Sequence, residues 1–337
     1  MSIQARAERL DHFMARAADA YYAGRDPFGR EGDFTTAPEI SQCFGECLGL
    51  WAAVTWMSMG SPREVVLAEL GPGRGTLMAD ALRAIREMVP DFAAALRLHL
   101  VERSPLLRQA QAAKLGGAVA AWHGDIADLP PGPAIILGNE FLDALPIRQF
   151  IRRGDAWMER HVRDGAFVEL ASEPGLPLPA EAPEGAIAEY GEAGRALVAA
   201  LSRRLASQGG AALFLDYGPA ESGLGDSLQA VRRHEPVDPL AEPGSADITA
   251  HVDFARLAAA ARETGAAAHG PLPQGLFLQS LGLTARASAL AALDPRRAGE
   301  HIAAAQRLIL PEGMGRLFKA LAICHPDLPA PPGLEAA

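Results

Sequence analysis

The sequence holds no long apolar run. Residues 134–137 and 257–261 are typical of its longest stretches, whereas a bilayer span needs about 20 such residues. No integral membrane segment is therefore expected. Residues Met1 to Arg6 carry no apolar stretch with a cleavage site, which argues against a secretory signal. Cysteine is scarce: three residues cannot all pair, which fits a reducing compartment such as the bacterial cytoplasm. A surplus of basic charge is also missing. Lys and Arg number 31 against 41 Asp and Glu, a net charge of −10 that repels a phosphate backbone and makes nucleic acid a poor partner. Only Lys114 and Lys319 are lysines, a skew that reads as genome composition and carries no functional weight. What remains is a globular mix of 49% hydrophobic and 21% charged residues over 337 positions. It excludes wholesale disorder and a coiled coil, and allows one large domain or two modest ones.

Apolar positions from Ile3 to Tyr22 recur at helical spacing, and Gly24 is a stop. A charged loop over 25–35 follows. Thr36-Ala37-Pro38-Glu39 reads as a capping box opening a helix that runs to about Met59. Cys43 and Cys47, four apart on that helix, read as buried apolar thiols rather than a metal pair. From residue 64 the pattern changes to strands at 65–70, 96–102, 119–123 and 134–140, separated by helices at 76–88 and 104–114. Such alternation means right-handed parallel βαβ units in an open doubly wound sheet. Short antiparallel strands at 147–152, 157–162 and 166–170 with Asp-Gly-type turns interrupt it. A Pro-rich connector and a helix over 187–206 precede a return to buried strand at 211–218, and a last strand covers 318–324.

The chemistry begins at the first glycine-rich turn. Glu69-Leu70-Gly71-Pro72-Gly73-Arg74-Gly75-Thr76 lies at a strand's carboxyl end, where doubly wound sheets bind ligands. No Gly-Lys-Ser/Thr follows, so it is not a phosphate loop, and the third glycine comes one residue early for the dinucleotide fingerprint. Glu69 before the turn fits the E/D-x-G-x-G-x-G pattern of class I S-adenosyl-L-methionine-dependent methyltransferases. Glycines at 71, 73 and 75 would let the methionine arm approach the backbone. Glu102, ending the second strand, can accept both ribose hydroxyls, and Asp125, after the third, can accept from the adenine amino group or cap a helix. Transfer itself belongs after the fourth strand, at Asn139-Glu140-Phe141-Leu142-Asp143. Methyl transfer is an in-line displacement governed by positioning. A guanidinium acceptor needs carboxylates, and Glu140 and Asp143, three apart, can meet on one face of a turn.

Three blocks together closely resemble the MidA family: Gly32-Asp33-Phe34-Thr35-Thr36-Ala37-Pro38-Glu39-Ile40-Ser41-Gln42 with Phe44-Gly45-Glu46, then 69–77, then 139–147. Further matches lie at Asp216-Tyr217-Gly218, 247–254, 274–281 and 314–319, so the resemblance spans nearly the whole chain. Relatives often carry a β-branched residue and then Ser where this chain has Thr35-Thr36-Ala37. The family comprises protein-arginine methyltransferases linked to respiratory complex I assembly. The resemblance implies S-adenosyl-L-methionine as cofactor, and symmetric dimethylation of an arginine on the quinone-side hydrophilic subunit of complex I. Without a targeting extension, the chain resembles a bacterial member. It further implies that 33–39, including Asp33 and Thr36, folds over the cofactor as a lid, whose helix N-terminus would offer N–H groups to the cofactor carboxylate. His251 and Asp253 are family positions whose role stays open; an unpaired His251 reads as an ordinary core or surface histidine.

The expected architecture is an α/β, Rossmann-like class I methyltransferase sheet with a helical N-terminal cap and an inserted antiparallel β meander. The cap covers 1–60 and the methyltransferase domain 61–325. The insertion spans about 147–195, accessory elements about 221–310, and a flexible tail 326–337. Three other readings remain: a cofactor-binding assembly factor with little catalysis, a nicotinamide-dependent oxidoreductase, and a small-molecule methyltransferase.

Overall fold

The computed structural model describes residues 7–24, 32–172 and 176–335; most of the loop expected at 25–35 and Pro174 of the connector lie outside them. In chain order the first elements are β1 (Glu8–Arg9), α1 (Leu10–Gly24), α2 (Ala37–Ile40), α3 (Gln42–Ser58), β2 (Val65–Leu70), α4 (Thr76–Met88) and α5 (Pro90–Ala95). β3 (Leu96–Val101), α6 (Pro105–Leu115), β4 (Val119–His123) and β5 (Ala134–Asn139) complete the first half of the sheet. Next come β6 (Arg148–Arg153), β7 (Ala156–Arg163), β8 (Ala166–Ala171), β9 (Ile187–Tyr190), α7 (Glu192–Gln208) and β10 (Gly210–Tyr217). The remainder forms β11 (Gln229–Arg232), β12 (Glu235–Val237), β13 (Asp247–Thr249), α8 (Phe254–Glu263) and β14 (Ala267–Pro273). It closes with α9 (Gln274–Ser280), α10 (Leu283–Leu293), α11 (Ala298–Ile309) and β15 (Phe318–Cys324).

The central sheet has the order β14-β15-β10-β5-β2-β3-β4. β10, β5, β2, β3 and β4 are parallel, and β15 runs antiparallel between β10 and β14. Every residue of β2 and β5 is buried, because helices cover both faces and leave no polar side to alternate. The chain winds outward from β2 to β4 and then returns to β5, so strand order reverses between β2 and β5. That reversal opens a crevice at their carboxyl ends. On one face α3 packs against α4 at very close range: a Cβ on Gly45 would lie 2.8 Å from the Leu77 carbonyl oxygen, and one on Gly49 2.7 Å from Ala81 Cα. Glu46, beside Gly45, is paired with both Arg83 of α4 and Arg286 of α10.

β6, β7 and β8 form the expected antiparallel meander, extended by β9 on β6 and by β1 on β7. Buried Arg148 and Glu159 bind it internally through two hydrogen bonds of 2.6 and 2.8 Å. A third small sheet has the order β12-β11-β13. Leu10, Phe13, Met14 and Ala17 of α1 form one apolar stripe, buried against Ile147 and Val162 on one side and Ala230, Ile248 and Ala250 on the other. Thus α1 packs with the insertion and the accessory sheet, while α3 packs with the methyltransferase core.

Four expectations need correction. The helix from 36 is broken at Ser41, which adopts an extended conformation and caps α3 by accepting the Cys43 N–H. Thr36 makes no side-chain cap: the Glu39 N–H donates to the Thr36 carbonyl oxygen, and the Glu39 carboxylate is held by Thr76. Residues 187–190 pair with β6 as a strand, so helix α7 starts only at Glu192. The tail is anchored: Leu334 is 1% exposed within the main core and Leu328 packs beside it. Among the described residues no single helix is long and apolar enough to cross a membrane.

Candidate active site

The crevice between β2 and β5 deepens into a cavity of about 650 Å³. Its walls come from three places. The sheet supplies the turn after β2, the end of β3, Asp125 after β4 and the segment 139–146. The N-terminal segment supplies Tyr22, Phe34, Thr36, Pro38 and Glu39, and the small third sheet supplies Gln229, Asp247 and Thr249. Of the residues singled out in the sequence, Glu69, Gly71, Gly73, Glu102, Asp125, Thr36, Asn139, Glu140 and Asp143 meet on this wall. Gly75 and Asp33 do not.

The three glycines serve different ends. All have positive φ, of 61°, 53° and 77° for Gly71, Gly73 and Gly75. A Cβ on Gly71 would meet the Phe141 ring at 2.8 Å, and one on Gly75 would meet Leu115 at 3.2 Å. Gly71 and Gly75 thus pack the turn against the protein, while Gly71 and Gly73 both lie on the cavity wall. Gln111, fully buried on α6, holds that turn by donating to the Gly73 carbonyl (2.7 Å) and to Glu102 Oε2 (3.2 Å).

Glu69 is 3% exposed and its Oε2 has no partner. Burial, with the neighbouring Glu102 charge, pushes its carboxyl up to about 8. Glu102 accepts the Ser104 N–H at 2.7 Å, and burial raises its pKa as well. Asp125 accepts the Ala127 N–H at 2.9 Å and so caps a short helical turn while remaining on the cavity wall. Asp33 faces away from the cavity, accepting from Tyr21 Oη and the Arg233 N–H, and thereby ties its loop to the β11–β12 turn. The N-terminus of α2 is already engaged: the Ala37 N–H donates to Glu140 Oε1 at 2.8 Å. It is therefore not free for the cofactor carboxylate.

Carboxylates also accumulate where β5 ends. Glu140 has φ +48° and accepts from Ala37 N and, at 3.1 Å, from Asn139 Nδ2. Burial pushes its pKa up to about 7. Asp143 is raised further by burial and by the charges of Asp216, Asp247 and Glu140. Asp216 lies behind the wall and accepts the N–H groups of Phe141, Leu142 and Asp143, fixing the loop after β5. Asp247 of β13 accepts from Tyr22 Oη at 2.9 Å, and burial pushes it up to about 6. Asn139 is 8% exposed and its Oδ1 has no partner. Tyr217 Oη donates to Thr249 Oγ1 at 2.6 Å beside this group. Among the described residues, no three His, Cys, Asp or Glu side chains are grouped to hold a metal.

His251 and Asp253 lie elsewhere, on a second cavity of about 370 Å³ that shares Leu145 and Pro146 with the first. Asp253 caps α8 and pairs with Arg256. Sequence reasoning missed Tyr22, Gln111 and Asp247. Tyr22 and Gln111 carry no signal beyond a polar tip in a helical pattern, and Asp247 stood in a family block without an assigned role.

An open sheet with its crevice at β2 and β5, a glycine turn, and carboxylates at successive strand ends together define a Rossmann-like S-adenosyl-L-methionine-dependent methyltransferase. Residues 47–272 match the sequence profile of a family of S-adenosyl-L-methionine-dependent methyltransferases. The chain is 36% identical to the Drosophila melanogaster protein arginine methyltransferase NDUFAF7 homolog, mitochondrial, over 94% of this chain and 80% of that protein. Its identity to the human protein arginine methyltransferase NDUFAF7, mitochondrial, is 32%, over 94% and 79%. A COG1565 superfamily protein from Burkholderia thailandensis, solved with S-adenosyl-homocysteine, superposes with a TM-score of 0.80 at 27% identity, covering 98% of this chain and 89% of that one. The chain belongs to the MidA family of S-adenosyl-L-methionine-dependent methyltransferases. That membership decides against the nicotinamide-dependent oxidoreductase.

The cavity fits this cofactor on its own evidence. Glu69 Oε2, buried on the cavity wall, lacks a partner inside the protein. An unmade hydrogen bond of this kind costs about 1–3 kcal/mol, so a donor-bearing ligand gains by supplying it.

Proposed function

We propose that this chain methylates an arginine of a protein, a hydrophilic subunit of respiratory complex I, and so aids assembly of that complex from the bacterial cytoplasm. The observation that carries the reading is the group of carboxylates on the cavity wall, where Glu140 and Asp143 stand with Asp247. The names of the arginine methyltransferase relatives support it. When bound, S-adenosyl-L-methionine supplies a methyl group activated on a sulfonium. Glu102 holds the ribose hydroxyls, Asp125 the adenine amino group and the Gly73 backbone the methionine arm. Glu69 offers a charge to the ammonium of that arm, whose arrival favours the ionised carboxylate.

Glu140 and Asp143 then orient a guanidinium so that one nitrogen faces the methyl carbon. Alignment of the reacting atoms provides most of the rate. As the nitrogen takes the methyl group it releases a proton, which an adjacent carboxylate accepts. Withdrawal from bulk water strengthens each of these charge interactions. The raised pKa values of Glu140, Asp143 and Asp247 arise first from burial, to which neighbouring carboxylates add, and a guanidinium offsets that cost. A small-molecule acceptor fits the acidic surface less well than a basic peptide does.

The test is transfer of radiolabelled methyl from the cofactor to the isolated complex I hydrophilic subunit, with the site mapped by mass spectrometry. Label on an arginine supports the reading. Cofactor binding without transfer to any arginine would favour an assembly factor with little catalysis.

A further inference from the structure

Glu140 and Asp143 belong to the loop after β5, the edge of the methyltransferase sheet. A further carboxylate comes from a different part of the molecule. Asp247 stands at the first position of β13, outside that sheet, is 9% exposed, and lines the same cavity. Its Oδ1 is held by the hydroxyl of Tyr22 from the last turns of α1. The α1 stripe that packs on Ile248 and Ala250 fixes both residues relative to each other. A second, independent feature points to a donor-rich ligand: Asn139 Oδ1, buried on the same wall, has no partner.

A planar guanidinium carries five N–H donors in a fixed fork and no acceptor. Carboxylates drawn from two parts of the molecule onto one cavity wall, with an unpartnered amide oxygen beside them, suit that fork of donors. A lysine ammonium, a compact point charge, would not need acceptors from both.

We propose that Asp247, positioned by Tyr22, forms the far wall of a guanidinium clamp whose near wall is Glu140 and Asp143, and that this wall selects arginine over lysine. The assignment rests on the arginine reading above and adds to it the residues that choose the acceptor. It also gives the accessory elements a purpose: α1 and the third sheet carry acceptor selection, while the sheet carries cofactor binding.

The probes are N-acetyl-arginine methylamide and N-acetyl-lysine methylamide, titrated into the protein saturated with S-adenosyl-homocysteine and followed by NMR. Calorimetry with S-adenosyl-homocysteine alone, together with thermal melting, reports whether each variant is folded. Wild type is expected to prefer the arginine amide. Asp247→Asn should weaken arginine binding by about tenfold, the scale of a hydrogen bond to a charged group, and remove most of the preference over lysine. Tyr22→Phe, which keeps the carboxylate and removes its holder, should weaken it by about fivefold. Affinity for S-adenosyl-homocysteine should stay within about twofold in both, since neither residue is assigned to the cofactor. Unchanged arginine affinity in Asp247→Asn that binds S-adenosyl-homocysteine normally overturns the clamp and leaves the arginine reading standing. If Asp247→Asn does not fold, unchanged arginine affinity in Tyr22→Phe overturns it instead. A wild-type protein that does not distinguish the two amides overturns the arginine reading itself.

Discussion

The hydroxyl of Thr76 donates to Glu39 Oε1 at 2.6 Å and accepts from Lys114 Nζ, so one side chain joins the segment over the cavity to α4 and α6. Glu140 makes a second tie to the same segment through the Ala37 N–H. The N-terminal segment is therefore anchored at two points on the wall of one cavity.

Thr76→Val keeps the shape of that first anchor and removes its hydrogen bonds. The loss should be about 0.5–1.5 kcal/mol. Amide exchange at residues 37–40 is expected to quicken several-fold, with weaker binding of S-adenosyl-homocysteine. Unaltered exchange there would mean that Glu140 alone holds the segment.

Gly73→Val should abolish cofactor binding in a protein that still folds. Its φ of +53° costs a side-chain-bearing residue roughly 1–2 kcal/mol, and a branched residue more. The new side chain would also occupy the space assigned to the methionine arm. Calorimetry with S-adenosyl-homocysteine measures this, and wild-type affinity in a folded variant would refute it.

Glu69 makes stability depend on pH in an unusual direction. Its folded-state pKa, about 8, lies above the ordinary 4.5 of a glutamate. Between those values the folded chain retains a proton that the unfolded chain has released. The stabilisation is full below about pH 4.5 and is lost as pH rises through about 8. Glu69→Gln should therefore raise the melting temperature of the ligand-free protein at pH 8–9 by several degrees, for about 1–3 kcal/mol. The gain should shrink toward pH 5. A gain that is the same at both ends would remove the titration of Glu69 as its cause.

Much of this was readable before the fold was known. Buried β2 and β5, the turn between Glu69 and Thr76, and Glu102 and Asp125 at strand ends are local patterns, and they fall on one cavity because the sheet's winding order brings them there. Asp247 and Tyr22 were not legible, since they meet across 225 residues through packing of α1 on the third sheet. Nor could spacing reveal that Gly71 and Gly75 pack against Phe141 and Leu115. The capping box at Thr36 misled for a related reason: the Glu39 carboxylate is held by Thr76, far along the chain, rather than reaching back to Thr36.

The most direct trial of the proposed chemistry is Glu140→Gln. Glu140 follows the last residue of β5 in a left-handed conformation, which aims its side chain across the cavity mouth toward Ala37. Glutamine preserves the size of the group and an oxygen to accept that N–H, so the fold and cofactor affinity should survive. It removes the charge that faces a guanidinium, in surroundings where burial makes charge count most. Single-turnover methyl transfer to arginine should fall by about 10²-fold, comparable with the loss of one preorganised electrostatic contact. The pH profile provides an independent check. With its pKa at about 7, raised chiefly by burial, Glu140 is neutral in acid and charged in base, so wild-type transfer should climb through about pH 7. That limb should be absent from the variant, whose residual rate would follow Asp143 and Asp247 alone. Transfer at the wild-type rate would make Glu140 a structural anchor for Ala37, and the acceptor site would then lie at Asp143 and Asp247.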